Sequence, residues 1–249
     1  MPVYNPGPEI IEASFAELQK IVSWLNNQDA DPVIQNAILI GGWAVDVYNP
    51  YFGSVDIDLV TDNNTRQLLI DHVRTNEGYI HQIHYPSDTV KKETPHGDII
   101  LDFIPRGTQY PFEGHPNVPF TLDILTGNTV FQKVRGGARI QVPNRSILVL
   151  LKLKAAWDRS YRILHQTSND VRWEGWKRIK DYADVLALID PDRGGRDIDL
   201  EILGAQISRV GFLKENILQI PDIDAVSERY QRMTQRDIRR VCEDFVSIL

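Results

Sequence analysis

The segment 55–60 carries two aspartates, Asp56 and Asp58, within a strict alternation of apolar and polar residues. Such alternation is typical of a half-buried β-strand, and it places both carboxylates on one face. They would lie roughly 6–7 Å apart along the strand and repel each other, unless one held a proton or a cation bound both. Carboxylate oxygens suit Mg²⁺, which also keeps water and phosphate in its shell. The pattern predicts a magnesium site, with a solvated strand face as the alternative.

A glycine pair precedes these aspartates by about a dozen residues. Gly41 and Gly42 follow a short apolar run at 37–40 and precede a helical pattern at 43–48, which Asn49 and Pro50 end. At a strand-to-helix turn, glycines let backbone N–H groups approach a phosphate closely. The pair therefore indicates a phosphate cradle, and a plain tight turn is the alternative.

A third acid, Asp102, lies inside the strongly apolar run at 98–104. A carboxylate in a buried strand is unfavourable unless a cation accompanies it. Asp102 is therefore either a buried acid paired with an arginine or a third metal ligand from a neighbouring strand, able also to accept a proton from an attacking hydroxyl. Asp98 lies on the same strand face and is the weaker candidate.

In order and spacing, Gly41, Gly42, Asp56, Asp58 and Asp102 resemble the motifs of the DNA polymerase β-type nucleotidyltransferases. In that superfamily, a Gly-Gly or Gly-Ser turn is followed by a D-x-D strand and by a third carboxylate on a later strand. The resemblance implies that Asp56, Asp58 and Asp102 bind metal, and that Gly41, Gly42 and Ser54 bind the nucleotide phosphates.

The second half of the chain looks most like the AbiEii-type toxin nucleotidyltransferases. That family has a helix with K-L-x-A and a following arginine, then a helix with K-D-x-x-D. Here these are Lys152-Leu153-Lys154-Ala155 with Arg159, and Lys180-Asp181-Tyr182-Ala183-Asp184. The resemblance implies that Lys152 and Arg159 contact the nucleotide phosphates and that Asp181 belongs to the active site.

Helical periodicity supports the grouping of these residues independently of the resemblance. Lys152, Ala155, Ala156 and Arg159 recur at the spacing of one helix face, as do the residues Lys177, Lys180, Asp181 and Asp184. The small alanine side chains on this cationic face would leave room for a bulky anion. Two ordinary amphipathic helices with salt-bridged polar faces are the alternative.

Charge is distributed unevenly along the 249 residues, which carry a formal net charge of −7. Residues 1–140 contain nine Lys and Arg against seventeen Asp and Glu, whereas residues 141–249 contain eighteen against seventeen. An acidic metal-binding half and a basic helical half suit a metal-bound triphosphate, although the basic segment could equally receive a nucleic acid.

Composition is that of an ordinary soluble protein, and one cysteine, Cys242, excludes an intramolecular disulfide and suits a reducing cytoplasm. No apolar stretch approaches the length of a membrane span, so no membrane partner is expected. Cys242 itself is expected to be a small buried residue of the last helix.

The periodicities predict an α+β protein with a mixed sheet flanked by helices, followed by a C-terminal helical bundle. Residues 1–142 would form the nucleotidyltransferase-like domain, including an N-terminal helix at 8–27, and residues 143–249 the helical domain. Strands are expected at 37–40, 54–61, 79–84, 89–92 and 98–104, and a hairpin at 129–142.

These observations and the resemblance lead to a hypothesis of metal-dependent nucleotidyl transfer. With Mg²⁺, or Mn²⁺, the enzyme would move a nucleoside monophosphate from an NTP to an acceptor hydroxyl and release pyrophosphate. The resemblance favours tRNA or protein as the acceptor, and a toxin–antitoxin setting with a cognate antitoxin. The alternatives are a small-molecule (antibiotic) nucleotidyltransferase and a non-catalytic nucleotide-binding module on the same fold.

Overall fold

The computed structural model describes residues 6–27, 36–81 and 89–249, and it confirms the α+β class. The chain divides into two compact units. Unit 1 consists of Met1–Thr108 and Leu122–Pro143, and unit 2 of Gln109–Thr121 and Asn144–Leu249. The chain leaves unit 1 after Thr108, returns to it at Leu122 and leaves it again after Pro143, so the segment Gln109–Thr121 belongs to unit 2.

Unit 1 combines three helices and seven strands within its described residues. The helices are α1 (Pro8–Asn26), α2 (Gly41–Tyr48) and α3 (Asn63–Asn76). The strands are β1 (Ala37–Ile40), β2 (Ile57–Thr61), β3 (Ile80–His81), β4 (Thr89–Thr94), β5 (Gly97–Pro105), β6 (Thr129–Lys133) and β7 (Arg139–Pro143). A 3₁₀ turn, Leu122–Leu125, precedes β6.

These strands form one mixed sheet in the order β3-β4-β5-β2-β1-β7-β6. The central strand β2 runs antiparallel to β1 and parallel to β5. β1 pairs in parallel with β7, while β4–β5 and β6–β7 are antiparallel pairs. The predicted hairpin at 129–142 is therefore confirmed.

Two elements begin at positions that differ from those expected. β2 begins at Ile57, because β1 ends at Ile40, the partner of Asp58, and the Val55 carbonyl accepts a hydrogen bond from the Ser14 hydroxyl at 2.8 Å. Helix α2 already begins at Gly41, so the glycine pair forms its first turn. Of the strand expected at 79–84, Ile80–His81 is described and residues 82–84 lie outside the described residues.

The core of unit 1 lies around β1 and β2, where all apolar side chains except that of Ile40 are fully buried. Trp43 of α2 is 1% exposed and donates its indole N–H to the Ser14 hydroxyl at 3.1 Å. The Ser14 hydroxyl also donates a hydrogen bond to the carbonyl of Val55, just before β2. Through Ser14, α1 therefore holds both the start of α2 and the residues before β2 in place.

Unit 2 is helical apart from the segment Gln109–Thr121. Its helices are α4 (Arg145–Leu164), α5 (Val171–Ile189), α6 (Leu200–Ile207), α7 (Phe212–Leu218), α8 (Asp224–Tyr230) and α9 (Gln235–Ser247). Short 3₁₀ turns at Pro191–Arg193, Gly195–Asp197 and Ile220–Asp222 lie between these helices. Cys242 is buried on α9, as expected.

The segment Gln109–Thr121 folds back on itself and docks on α4. The backbone N–H of Glu113 donates to Asp158 at 3.0 Å, and the Trp157 indole N–H donates to the Glu113 carbonyl at 2.9 Å. Phe112 is buried against Phe120 and Phe212. These contacts explain why the segment belongs to unit 2 although the residues on either side of it belong to unit 1. None of the described helices is long and apolar enough to cross a membrane.

Candidate active site

Two of the predicted metal ligands lie side by side in the sheet of unit 1. Asp58 of β2 and Asp102 of β5 are register partners in a parallel pair. Partner residues on neighbouring strands point to the same face, with the strands ~4.8 Å apart. Both side chains are only partly buried. Two acidic side chains are thus held next to each other on an accessible part of the sheet.

The glycine turn lies directly against this carboxylate pair. Gly41 has φ +71°, and a Cβ atom at this position would stand 1.9 Å from Oδ2 of Asp58. Only glycine leaves the space for this approach, and only glycine adopts this backbone conformation without strain. The backbone at the start of α2 therefore lies beside the Asp58 carboxylate, as the phosphate-cradle interpretation requires.

The beginning of α2 has the features of an anion-binding helix terminus. Ile40, the N-cap residue, has a side chain that cannot cap the first N–H groups. The helix is fixed from behind, because its buried Asp46 accepts two hydrogen bonds of 2.9 Å from the Arg135 guanidinium. Amide N–H groups and the helix dipole both favour negative charge at this end.

The remaining predicted residues of unit 1 flank this centre. Asp56 is partly buried and lies just before β2, two positions upstream of Asp58. Gly42 is buried in the first turn of α2, and Ser54 is buried in the loop ahead of β2. The weaker candidate, Asp98, lies near the start of β5 and forms an ion pair of 2.9 Å with Lys91.

One residue of the site carried no signal in the sequence. Thr89 of β4 is the register partner of Asp102 and donates its hydroxyl to Oδ1 of that carboxylate at 2.6 Å. This hydrogen bond fixes the orientation of the Asp102 carboxylate. Threonine is common in strands, so its role became visible only through the pairing of β4 with β5.

A divalent cation of this kind needs several oxygen donors. Among the described residues, no three His, Cys, Asp or Glu side chains are already placed as a metal-binding group. The pair Asp58–Asp102 nevertheless offers hard oxygen donors of the kind that Mg²⁺ prefers, and the Asp58 carboxylate lies where a Cβ at Gly41 would otherwise stand. The residues fit a metal ion that a ligand phosphate helps to coordinate.

The predicted residues of unit 2 meet in an ion network between α4 and α5. Lys152 Nζ lies 2.6 Å from Asp184 and 3.4 Å from Asp181. Arg159 Nε lies 2.9 Å from Asp181, and Lys180 Nζ lies 2.9 Å from Asp184. Both lysines and both aspartates are buried. The structure therefore brings Lys152, Asp181 and Arg159 together within unit 2.

Glu174 of α5 extends this network toward the end of α4. It accepts hydrogen bonds from Arg159 at 2.7 Å and from Arg162 at 2.8 Å. Burial alone would raise the pKa of Glu174, but the two guanidinium groups outweigh it and the pKa is lowered. Burial would likewise lower the pKa of Arg159, yet Asp181 and Glu174 raise it. Opposite charges are thus matched along the helix pair.

Comparison with known proteins adds no relative: no model of a known protein family matches the chain, and no curated protein matches it significantly.

Proposed function

We propose that the protein is a metal-dependent nucleotidyltransferase, which moves a nucleoside monophosphate from a nucleoside triphosphate to an acceptor hydroxyl. The observation that carries the proposal is the pairing of Asp58 with Asp102 on adjacent strands, with the backbone of Gly41 against Asp58. Phosphoryl transfer needs groups that bind metal next to groups that bind phosphate, and two carboxylates beside the first turn of a helix could supply both.

Asp58 and Asp102, together with Asp56, would hold Mg²⁺ or Mn²⁺. Bound there, the metal would offset the triphosphate charge and favour ionisation of the attacking hydroxyl. The first turn of α2 would receive phosphate oxygens through its N–H groups. Asp102, oriented by Thr89, is placed to accept the proton of the attacking hydroxyl. The phosphate contacts of Lys152 and Arg159 and the active-site role of Asp181 stay predictions from the resemblance.

The first test supplies each nucleoside triphosphate, labelled at the α-phosphate, with Mg²⁺ and either total RNA or total protein. We expect label in one of the two acceptor fractions. Asp58→Asn should lower incorporation at least ~10³-fold, because a ligand that acts on the reacting phosphate is lost.

Asp98→Asn is the matched control. Asp98 shares a strand with Asp102 but pairs with Lys91, so its loss should change incorporation by less than about threefold. Equal activity of Asp58→Asn and the wild type would refute the assignment of Asp58. Label in a small molecule added as acceptor, with none in RNA or protein, would favour the antibiotic-modifying alternative.

A further inference from the structure

Three side chains follow one another across the sheet of unit 1. Asp102 of β5 is the register partner of Asp58 on the β2 side and of Thr89 on the β4 side. Register partners on neighbouring strands point to the same face of a sheet. Thr89 is 4% exposed, whereas both carboxylates are only partly buried. Asp102 therefore lies between a second carboxylate on one strand and a buried hydroxyl on the other.

The hydroxyl of Thr89 makes the two oxygens of Asp102 different from each other. It donates to Oδ1 at 2.6 Å, which is the length of a charge-assisted O–H···O⁻ hydrogen bond. Because Thr89 is buried and β-branched, its side chain has few rotamers in which it could turn away. Oδ1 shares its negative charge with the hydroxyl proton, so a metal ion that coordinates Oδ1 has to compete with Thr89.

The hydroxyl orients this carboxylate without offsetting its charge. Asp98, on the same face of β5, instead forms an ion pair of 2.9 Å with Lys91 of β4. An ammonium group offsets the charge of a carboxylate, whereas a hydroxyl leaves that charge in place. The strand pair β4–β5 thus supplies different donors to its two acids, and the neutral donor meets the acid that is the register partner of Asp58.

Mg²⁺ and Ca²⁺ differ in how they use a carboxylate. Ca²⁺ takes about six to eight oxygen ligands in flexible geometry and often binds both oxygens of one carboxylate, whereas Mg²⁺ is smaller and demands near-ideal octahedral geometry. Two-oxygen binding of Ca²⁺ by Asp102 would use Oδ1 and would therefore weaken or break the hydrogen bond from Thr89. One-oxygen binding of Mg²⁺ is compatible with that bond.

We propose that Thr89 is a positioning residue that holds Asp102 as a one-oxygen ligand, and that it thereby makes the site prefer Mg²⁺ to Ca²⁺. The inference rests on the proposed function, and it assigns the choice of cation to a residue that touches neither the metal nor the nucleotide. Residues that hydrogen-bond to metal ligands change metal affinity by ~10- to 100-fold when they are replaced.

Displacement of Mn²⁺ from the full chain measures this preference. Free Mn²⁺ is followed by electron paramagnetic resonance, and Mg²⁺ or Ca²⁺ is added as a competitor. The titrations give a Kd for each ion and thus the ratio of the Ca²⁺ Kd to the Mg²⁺ Kd. Thr89→Val keeps the shape of the side chain but removes the hydroxyl, and the ratio should fall by about 10-fold. Thr89→Ser keeps the hydroxyl, and its ratio should stay within about threefold of the wild type.

Thr129 supplies a matched control in the same sheet. Its hydroxyl, on β6, donates to Oε1 of Gln141 on β7 at 2.6 Å. Thr129→Val therefore removes a cross-strand hydrogen bond of the same length that does not involve a carboxylate, and the ratio should stay within about threefold of the wild type. An equal fall in Thr129→Val and Thr89→Val would mean a general loosening of the sheet and would overturn the inference.

Two further outcomes count against the inference. An unchanged ratio in Thr89→Val would overturn it, and so would a fall in Thr89→Ser as large as that in Thr89→Val. Circular dichroism and urea unfolding first establish that each variant is folded. If Thr89→Val does not fold, Thr89→Ala takes its place, because it also removes the hydroxyl, and the same fall in the ratio is expected.

Asp58→Asn separates failure of the inference from failure of the proposed function. The wild type should bind Mn²⁺, and Asp58→Asn should bind it at least about tenfold more weakly. A wild type that binds no Mn²⁺, or an Asp58→Asn variant with an unchanged Kd, would reject the proposed function together with the inference. If both behave as expected and the ratio in Thr89→Val does not fall, the inference alone is rejected.

Discussion

The two charged regions of this protein are built on opposite electrostatic rules. In unit 1, Asp58 lies beside Asp102, so that like charges are register partners on a partly accessible sheet face. In unit 2, Lys152, Lys180, Asp181 and Asp184 alternate in sign and are buried. Like charges held together by the fold would be stabilised by a bound cation, as the proposed function requires. The matched buried charges of unit 2 neutralise one another, and their ion pairs hold the side chains in position.

The largest effect is expected where the matched network is broken. Asp184→Asn should lower the free energy of unfolding by ~3–5 kcal/mol, because two buried ammonium groups lose the carboxylate between them. Urea unfolding followed by circular dichroism measures the change. The matched control is Asp222→Asn, which breaks the exposed pair with Arg239 and should change the stability by less than ~1 kcal/mol. Equal losses of stability in the two variants would show that the buried ion network stabilises the fold no more than an exposed ion pair does.

A smaller effect is expected at the glycine turn of unit 1. Gly41→Ala should lower the free energy of unfolding by ~2–4 kcal/mol, since it combines a left-handed backbone with a Cβ atom 1.9 Å from Asp58 Oδ2. Gly78→Ala is a well-matched control, because Gly78 has φ +76° but nothing within 4 Å of the position that an alanine methyl group would take. It should lower the stability by ~1 kcal/mol. The difference between the variants reports the close approach of Gly41 to Asp58, and no difference would contradict that approach.

The pH dependence of stability sharpens the comparison further. The pKa of Glu174 is lowered in the folded state, where Arg162 and Arg159 outweigh burial. Its contribution is therefore complete above the unfolded pKa, near 4.5, and is lost as the pH falls through the lower folded value. Glu174→Gln should make the loss of stability between pH 6 and pH 3 smaller than in the wild type. Urea titrations across this range test it, and an unchanged slope would argue against the ion pairs of Glu174.

The smallest expected effect is a gain of stability, and it concerns the pair Asp58–Asp102. Without metal, Asp58→Asn should leave the free energy of unfolding unchanged or raise it by up to ~1 kcal/mol, since repulsion with Asp102 is relieved. Thermal melting in a chelator measures this change. A loss of more than ~1 kcal/mol would mean that the Asp58 charge stabilises the fold, and that the contrast between the two regions is mistaken.

Much of the fold could be read from local patterns. The alternation around Asp58 and the apolar runs at 37–40 and 98–104 correspond to β2, β1 and β5, and the helical period around Lys152 corresponds to α4. Local periodicity reports which face of an element is buried. It does not report partners in space, so the docking of Gln109–Thr121 within unit 2 could not be foreseen from its own residues.

The sequence by itself determined which residues share a face: Ile57 with Leu59 on a strand, and Lys152 with Arg159 on a helix. These relations depend only on the period of the backbone. Only the tertiary structure decided that Asp58 meets Asp102, that Gly41 closes on Asp58, and that Lys180 shares Asp184 with Lys152. Such contacts depend on strand register and helix packing, which are set by the burial of the whole core rather than by any local pattern.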